Sequence, residues 1–326
     1  MHPIFPDATI WALALPGGFL LTVLLAAAGL PFMALAGQTL ATVKRRTFYN
    51  KCGRQLAMLA AILAPLSLAL AGLTMFRAVQ MDPALLVGPI RLPLFALLAI
   101  LTSTSIFAVL YFFTWKRLAS LPLVQQLFGL IAGMGMIKAI FFTLAIGRAM
   151  LVPGHPLPAT GSPFAIMMAL AFPTGHTLLW ASFLLALCAV FAAAGCYAMA
   201  WLVLRRQQDD FGRDYYTFTM PWCARWAFGG SIVAIAPGAY LIWCVIKAVN
   251  PTFVLLPLSL PAMLPPLLPM ALALLCPVFT AICAARVSHS VAPMRHKLAI
   301  AFARILLVLA SAGELATLMS MTRHMA

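Results

Sequence analysis

Few side chains in this sequence have chemistry to offer. His176 stands in Phe172-Pro173-Thr174-Gly175-His176-Thr177, at the head of a long apolar stretch. A neutral imidazole there reads either as an interfacial polar group or as an axial ligand to haem iron, since few other side chains here suit iron. The remaining histidines (His2, His155, His289, His296 and His324) fall in loops or termini, so a pair of bis-histidine helices is excluded. A thioether is then the candidate second ligand, and Met263 and Met270 stand at the head of the seventh apolar stretch. Either methionine reads as well as packing, because the flexible thioether fills irregular apolar gaps. The seven cysteines occur singly, with no CxxC or CxxCH. They imply no disulfide framework, no covalent c-type haem and no iron–sulfur cluster.

The elements that must position these groups follow from composition. Of 326 residues, 64% are hydrophobic and 8% charged, against about 25% charged in a soluble domain. Six acids (Asp7, Asp82, Asp209, Asp210, Asp214 and Glu314) serve the whole chain, and the mean hydropathy is +1.04. A soluble enzyme, a secreted disulfide scaffold and a disordered chain are excluded. The net charge of +15 would suggest nucleic acid in a soluble protein, but no basic stripe with interleaved aromatics lies outside the apolar stretches. Here the basic residues mark loops that face anionic headgroups.

A helix crossing a bilayer needs about 20 apolar residues. Eight stretches qualify: 10–36, 55–76, 92–115, 123–150, 174–204, 221–248, 265–286 and 298–320. The first is too long for a signal-peptide core and reads as a retained helix. A shorter apolar piece, 163–172, stops at Pro173 and suits an interfacial helix. The expected fold is an all-α polytopic membrane protein, with eight transmembrane helices arranged as two four-helix bundles, 1–150 and 151–326. Lys and Arg crowd the connections 1–2, 3–4, 5–6 and 7–8, which sets both termini outside the inner membrane by the positive-inside rule. Lys138, Arg304 and Glu314 fall within or near the ends of spans, where a charge faces a partner or a water-filled cavity. Arg304 can instead snorkel to the inner surface, and Glu314 can sit at the outer interface. Lys138 is the deepest of the three.

Several segments, taken in order, resemble subunit I of cytochrome bd-type quinol oxidases. Thr47-Phe48-Tyr49-Asn50-Lys51 is similar to the family's aromatic-Tyr-basic loop, and Gly72-Leu73-Thr74-Met75-Phe76 to the end of its second helix. Tyr111-Phe112-Phe113-Thr114-Trp115-Lys116-Arg117-Leu118 resembles the close of its third helix. Gly175-His176-Thr177 resembles its fifth-helix His-Thr, here followed by Arg205-Arg206 and the acidic-aromatic stretch 209–216. Ala312-Gly313 resembles its Glu-Ala-Gly segment. The resemblance implies the fold, a respiratory membrane complex with other subunits, quinol as electron donor, and haem b at His176.

The departures bear on activity. The family's first helix carries a histidine for its high-spin haem, and the corresponding region Gly17–Leu30 has none. Its third-helix glutamates correspond to places near Ala96 and Thr104, and its eighth-helix glutamate to a place near Ser311. The large loop between helices six and seven has shrunk to 249–264, and the ninth helix is missing. Oxygen reduction needs an iron with an open position and carboxylates to deliver protons. Three functions remain open. One is an electron-transfer subunit with one haem b held by His176, with Met263 or Met270 as partner, passing electrons from quinol to an extracytoplasmic cytochrome or another subunit. The second is a haem-free scaffold that anchors other subunits in the membrane. The third is a transporter that couples through Lys138 and Glu314.

Overall fold

The computed structural model describes residues 8–86, 88–118, 120–151, 162–172, 178–209, 211–249 and 260–325. Nine helices occur among them: α1 (Ala8–Lys44), α2 (Thr47–Met81), α3 (Arg91–Phe113), α4 (Pro122–Leu151), α5 (Pro163–Ala171), α6 (Leu178–Arg205), α7 (Arg213–Val249), α8 (Leu260–Ser288) and α9 (Lys297–Met325). Two 3-10 turns, Pro83–Leu86 and Pro293–Arg295, complete the described elements, and no described residue forms a strand. Eight of the helices, all but α5, are long and apolar enough to cross a membrane. The chain is an all-α, multi-pass membrane protein.

The helices are apolar on every face, as a lipid-bathed bundle requires, and prolines 16, 31, 65, 221 and 237 are carried inside them. Such breaks are tolerated where neighbouring helices satisfy the freed backbone groups. The short α5 follows the expected 163–172 segment and has a defined start. Ser162 Oγ accepts from the Ala165 amide at 3.2 Å, and Pro163 takes the first helical position.

Two quartets make up the molecule. In the first, α1 packs on α2 and α4, and α3 lies between α2 and α4; in the second, α6, α7, α8 and α9 follow one another. The quartets meet through α1, which also lies against α6 and α9. Accordingly α1 is the hub, with 72% of its apolar window inside the protein against 28% for α3.

The helices outrun the apolar stretches. The expected connection 37–54 shrinks to Arg45 and Arg46, because α1 continues to Lys44 and α2 starts at Thr47. Beyond the apolar zone the threonine hydroxyls turn back on α1 itself: Thr39 Oγ1 donates to Leu35 O at 3.0 Å, and Thr42 Oγ1 to Thr39 O at 2.8 Å. The turn is made by Arg45 in the left-handed region (φ 50°) followed by an extended Arg46. On the same side α7 begins at Arg213 rather than at 221.

Candidate functional site

The interior face of α1 is the natural place to look for a cofactor, and helix contacts occupy it. A Cβ added at Gly18 would lie 2.6 Å from Ala312 N and 2.9 Å from Ala312 Cβ of α9. One added at Gly29 would lie 2.6 Å from Val190 O of α6. Small residues of this kind let helix backbones touch, and in a membrane that contact drives association. Both glycines belong to the segment Gly17–Leu30. Between them Thr22, fully buried, turns its hydroxyl back on Gly18 O at 2.7 Å. The Ala312-Gly313 pair is used the same way: a Cβ at Gly313 would meet Pro269 O of α8 at 2.6 Å.

Thr104, one of the places the resemblance assigns to a third-helix acid, is buried and donates to Ile100 O at 2.8 Å. Its methyl sits over Gly135 of α4, where an added Cβ would come within 1.9 Å of it. Thr104 therefore serves the α3–α4 contact.

Of the candidate iron ligands, His176 lies outside the described residues, and of Met263 the backbone alone is described, within α8. Met270 is 1% exposed. It packs with Leu178, Ala181 and Leu185 of α6 and with Ala234, Leu241 and Val245 of α7. The α6 residues that follow His176 thus close on Met270. A cavity of about 30 Å³ lies beside it, bordered by Gly238, Met270, Pro277, Ser311 and Glu314. That volume holds about one water, whereas a cofactor needs roughly 300 Å³ or more. Among the described residues, the space beside Met270 is smaller than a haem.

Glu314 and Ser311, one helical turn apart on α9, both border this cavity. Arg304 is partly buried beside Cys196 and Tyr197 of α6, with its Nε enclosed and unpartnered. Lys138 is exposed on the outer surface of α4. The structure therefore does not bring Lys138 and Glu314 together: one faces out of the first quartet and the other into the second.

The side chains that do converge lie at the basic ends of the helices, and most of them belong to the segments with family resemblance. Tyr49 is buried against Phe218 (ring centroids 4.9 Å apart) and Trp222 (6.0 Å). Gln55, 5% exposed, accepts from Tyr215 Oη at 2.6 Å and donates to Asp209 Oδ2 at 3.1 Å. Arg205 Nε donates to the same carboxylate oxygen at 2.9 Å, and Tyr216 Oη to the Asp209 carbonyl. In the first quartet Tyr111 Oη donates to Gln38 Oε1 at 3.1 Å, and Gln38 Nε2 donates to Gln125 Oε1 at 2.8 Å. Sequence reading missed both relays. Their signal was three glutamines, at 38, 55 and 125, placed where apolar helices meet basic loops.

The sequence matches no family model and no curated protein. Its fold does match a solved structure, that of bd oxidase from Geobacillus thermodenitrificans, with a TM-score of 0.66 over 99% of this chain and 89% of that one, at 14% identity. The chain has a bd-oxidase-like fold.

Proposed function

We propose that this chain is a membrane subunit of a respiratory electron-transfer complex that keeps the bd-oxidase fold without an oxygen-reducing centre of its own, and that it anchors partner subunits in the inner membrane with both termini outside. The observation that carries this reading is the contact of Gly18 with Ala312. Where the family resemblance would have a haem-ligating helix, α1 and α9 touch backbone to backbone. Thr104 at one acid position serves packing, and Ser311 at the other brings only a hydroxyl to a cavity of about 30 Å³.

Lys138 supports the anchoring role. It stands 16 residues into α4, about 24 Å from the helix start at 1.5 Å per residue, on a surface that faces acyl chains in the isolated chain. A lysine at mid-membrane costs about 2.5–3.5 kcal/mol on insertion scales, which a carboxylate on a neighbouring membrane helix would offset. The basic ends of α1–α2, α3–α4 and α6–α7 support an inward orientation of that side.

A second reading has one observation in its favour. The first turn of α6, two residues beyond His176, lies against Met270; this reading has a haem b at His176, fed by quinol and read by an extracytoplasmic cytochrome, bound by opening that contact. The visible absorption spectrum of the purified chain separates the two readings. The anchoring reading expects no haem band, and a low-spin haem b band lost in His176→Ala would replace it with the second.

A further inference from the structure

A cavity of about 580 Å³ opens at the basic end of the first quartet, between the α1–α2 turn, the α3–α4 connection and the head of α4. Its border includes Gln38, Arg45, Arg46, Trp115, Lys116 and Gln125. Arg45, Arg46 and Lys116 are exposed, and no described carboxylate pairs with any of them. No acid borders the cavity. Three cations held together without a counter-charge repel one another, and the arrangement gains by receiving an anion.

The buried wall points the same way. Gln125 is 2% exposed, and its Oε1 accepts from Gln38, whose own Oε1 accepts from Tyr111. That relay commits every member except one: Gln125 Nε2 is buried and has no acceptor. A buried donor left unpaired costs about 1–3 kcal/mol. It lies in the first turn of α4, a helix of 30 residues whose start at Pro122 also borders the cavity and whose dipole favours negative charge there. Arg45 is held at φ 50°, a conformation that favours glycine, and the turn so made sets two arginines side by side at the cavity. Arginine forks suit phosphate oxygens in pairs.

We infer that this cavity binds a phosphate-bearing anion, with Arg45, Arg46 and Lys116 neutralising the phosphate and Gln125 Nε2 as its buried donor. The cavity also has room for a group attached to the phosphate. The same chemistry is offered by the headgroup of an acidic phospholipid and by a soluble phosphorylated compound such as a nucleotide.

The test uses the full chain in phosphatidylcholine nanodiscs. One arm adds phosphatidylglycerol and reads the lipid retained by native mass spectrometry; the other titrates ATP and inorganic phosphate by calorimetry. Binding in the first arm alone identifies a lipid headgroup, and binding in the second identifies a soluble ligand. The wild type binds in at least one arm. Gln125→Leu weakens that binding about tenfold, the loss of one hydrogen bond to a charged acceptor. The triple change Arg45→Ala, Arg46→Ala, Lys116→Ala removes it. Arg45→Gly weakens binding while thermal stability holds or rises, because glycine accepts the left-handed turn. A control triple, Arg54→Ala, Arg117→Ala, Arg206→Ala, removes three exposed cations that do not border the cavity and keeps binding. No binding in either arm overturns the inference, and so does equal weakening by the two triples.

Discussion

Gly18 of α1 and Ala312 of α9 are packed so closely that a methyl group on the glycine would come within 2.6 Å of the alanine nitrogen. The contact joins the hub helix to the last helix of the second quartet. Gly18→Leu is expected to destabilise the protein by about 1–3 kcal/mol, the usual range for overpacking a filled interior. Thermal unfolding in detergent measures it. An unchanged Tm would mean that the two helices part easily, and that space for a larger group exists between them.

Asp209 holds two elements at once, through Arg205 on its own side and Gln55 of α2. The Arg205 pair is partly exposed and spaced i, i+4, so it contributes little. The Gln55 bond is different because it is 154 residues apart in sequence and Gln55 is 5% exposed. Asp209→Ala is expected to cost about 1–3 kcal/mol, mainly by orphaning the Gln55 amide, and Arg205→Ala less than about 1 kcal/mol. Chemical denaturation of the two variants decides the order, and equal losses would refute it.

Lys138→Leu should behave in opposite ways alone and in company. The isolated chain gains stability in lipid, since a charge leaves the acyl region. The assembled complex loses partner, because the counter-charge is left without its mate. Co-purification of membrane partners with wild type and variant reads this directly. Undiminished recovery of partners with Lys138→Leu would move the interface away from α4.

Quinol-dependent oxygen uptake by the purified chain is expected to be absent. No histidine lies in Gly17–Leu30, and no carboxylate stands at Ala96 or Thr104 to deliver protons. Cyanide-sensitive uptake above the detergent blank, on an oxygen electrode, would show this wrong.

Much of the architecture was legible from hydropathy alone. Eight apolar stretches became eight helices, and the Pro163–Ala171 helix falls on the short stretch before Pro173. Apolar length is a bilayer constraint, and it acts on each segment by itself. Helix ends were less legible: α1 and α2 extend toward each other until two residues join them. An amphipathic continuation beyond the hydrocarbon zone carries no long apolar run to mark it.

What the sequence by itself determined, then, is the class of molecule, the number of spans and the side rich in cations. Those are properties of composition and local order. Tertiary structure alone decided which way each rare polar group faces. Lys138 and Glu314 both read as intramembrane charges, yet one lies on the outer surface of α4 and the other borders an interior cavity. Gly18 reads as one glycine among 20 until α9 is seen against it. Gln38, Gln55 and Gln125 read as ordinary polar residues near helix ends until their amides link across 87 and 154 positions. The reason is that helices apolar all round carry no hydrophobic face to announce their neighbours. Facing is set by close backbone contact and by the pairing of a few buried polar groups, which exist only once the helices have assembled.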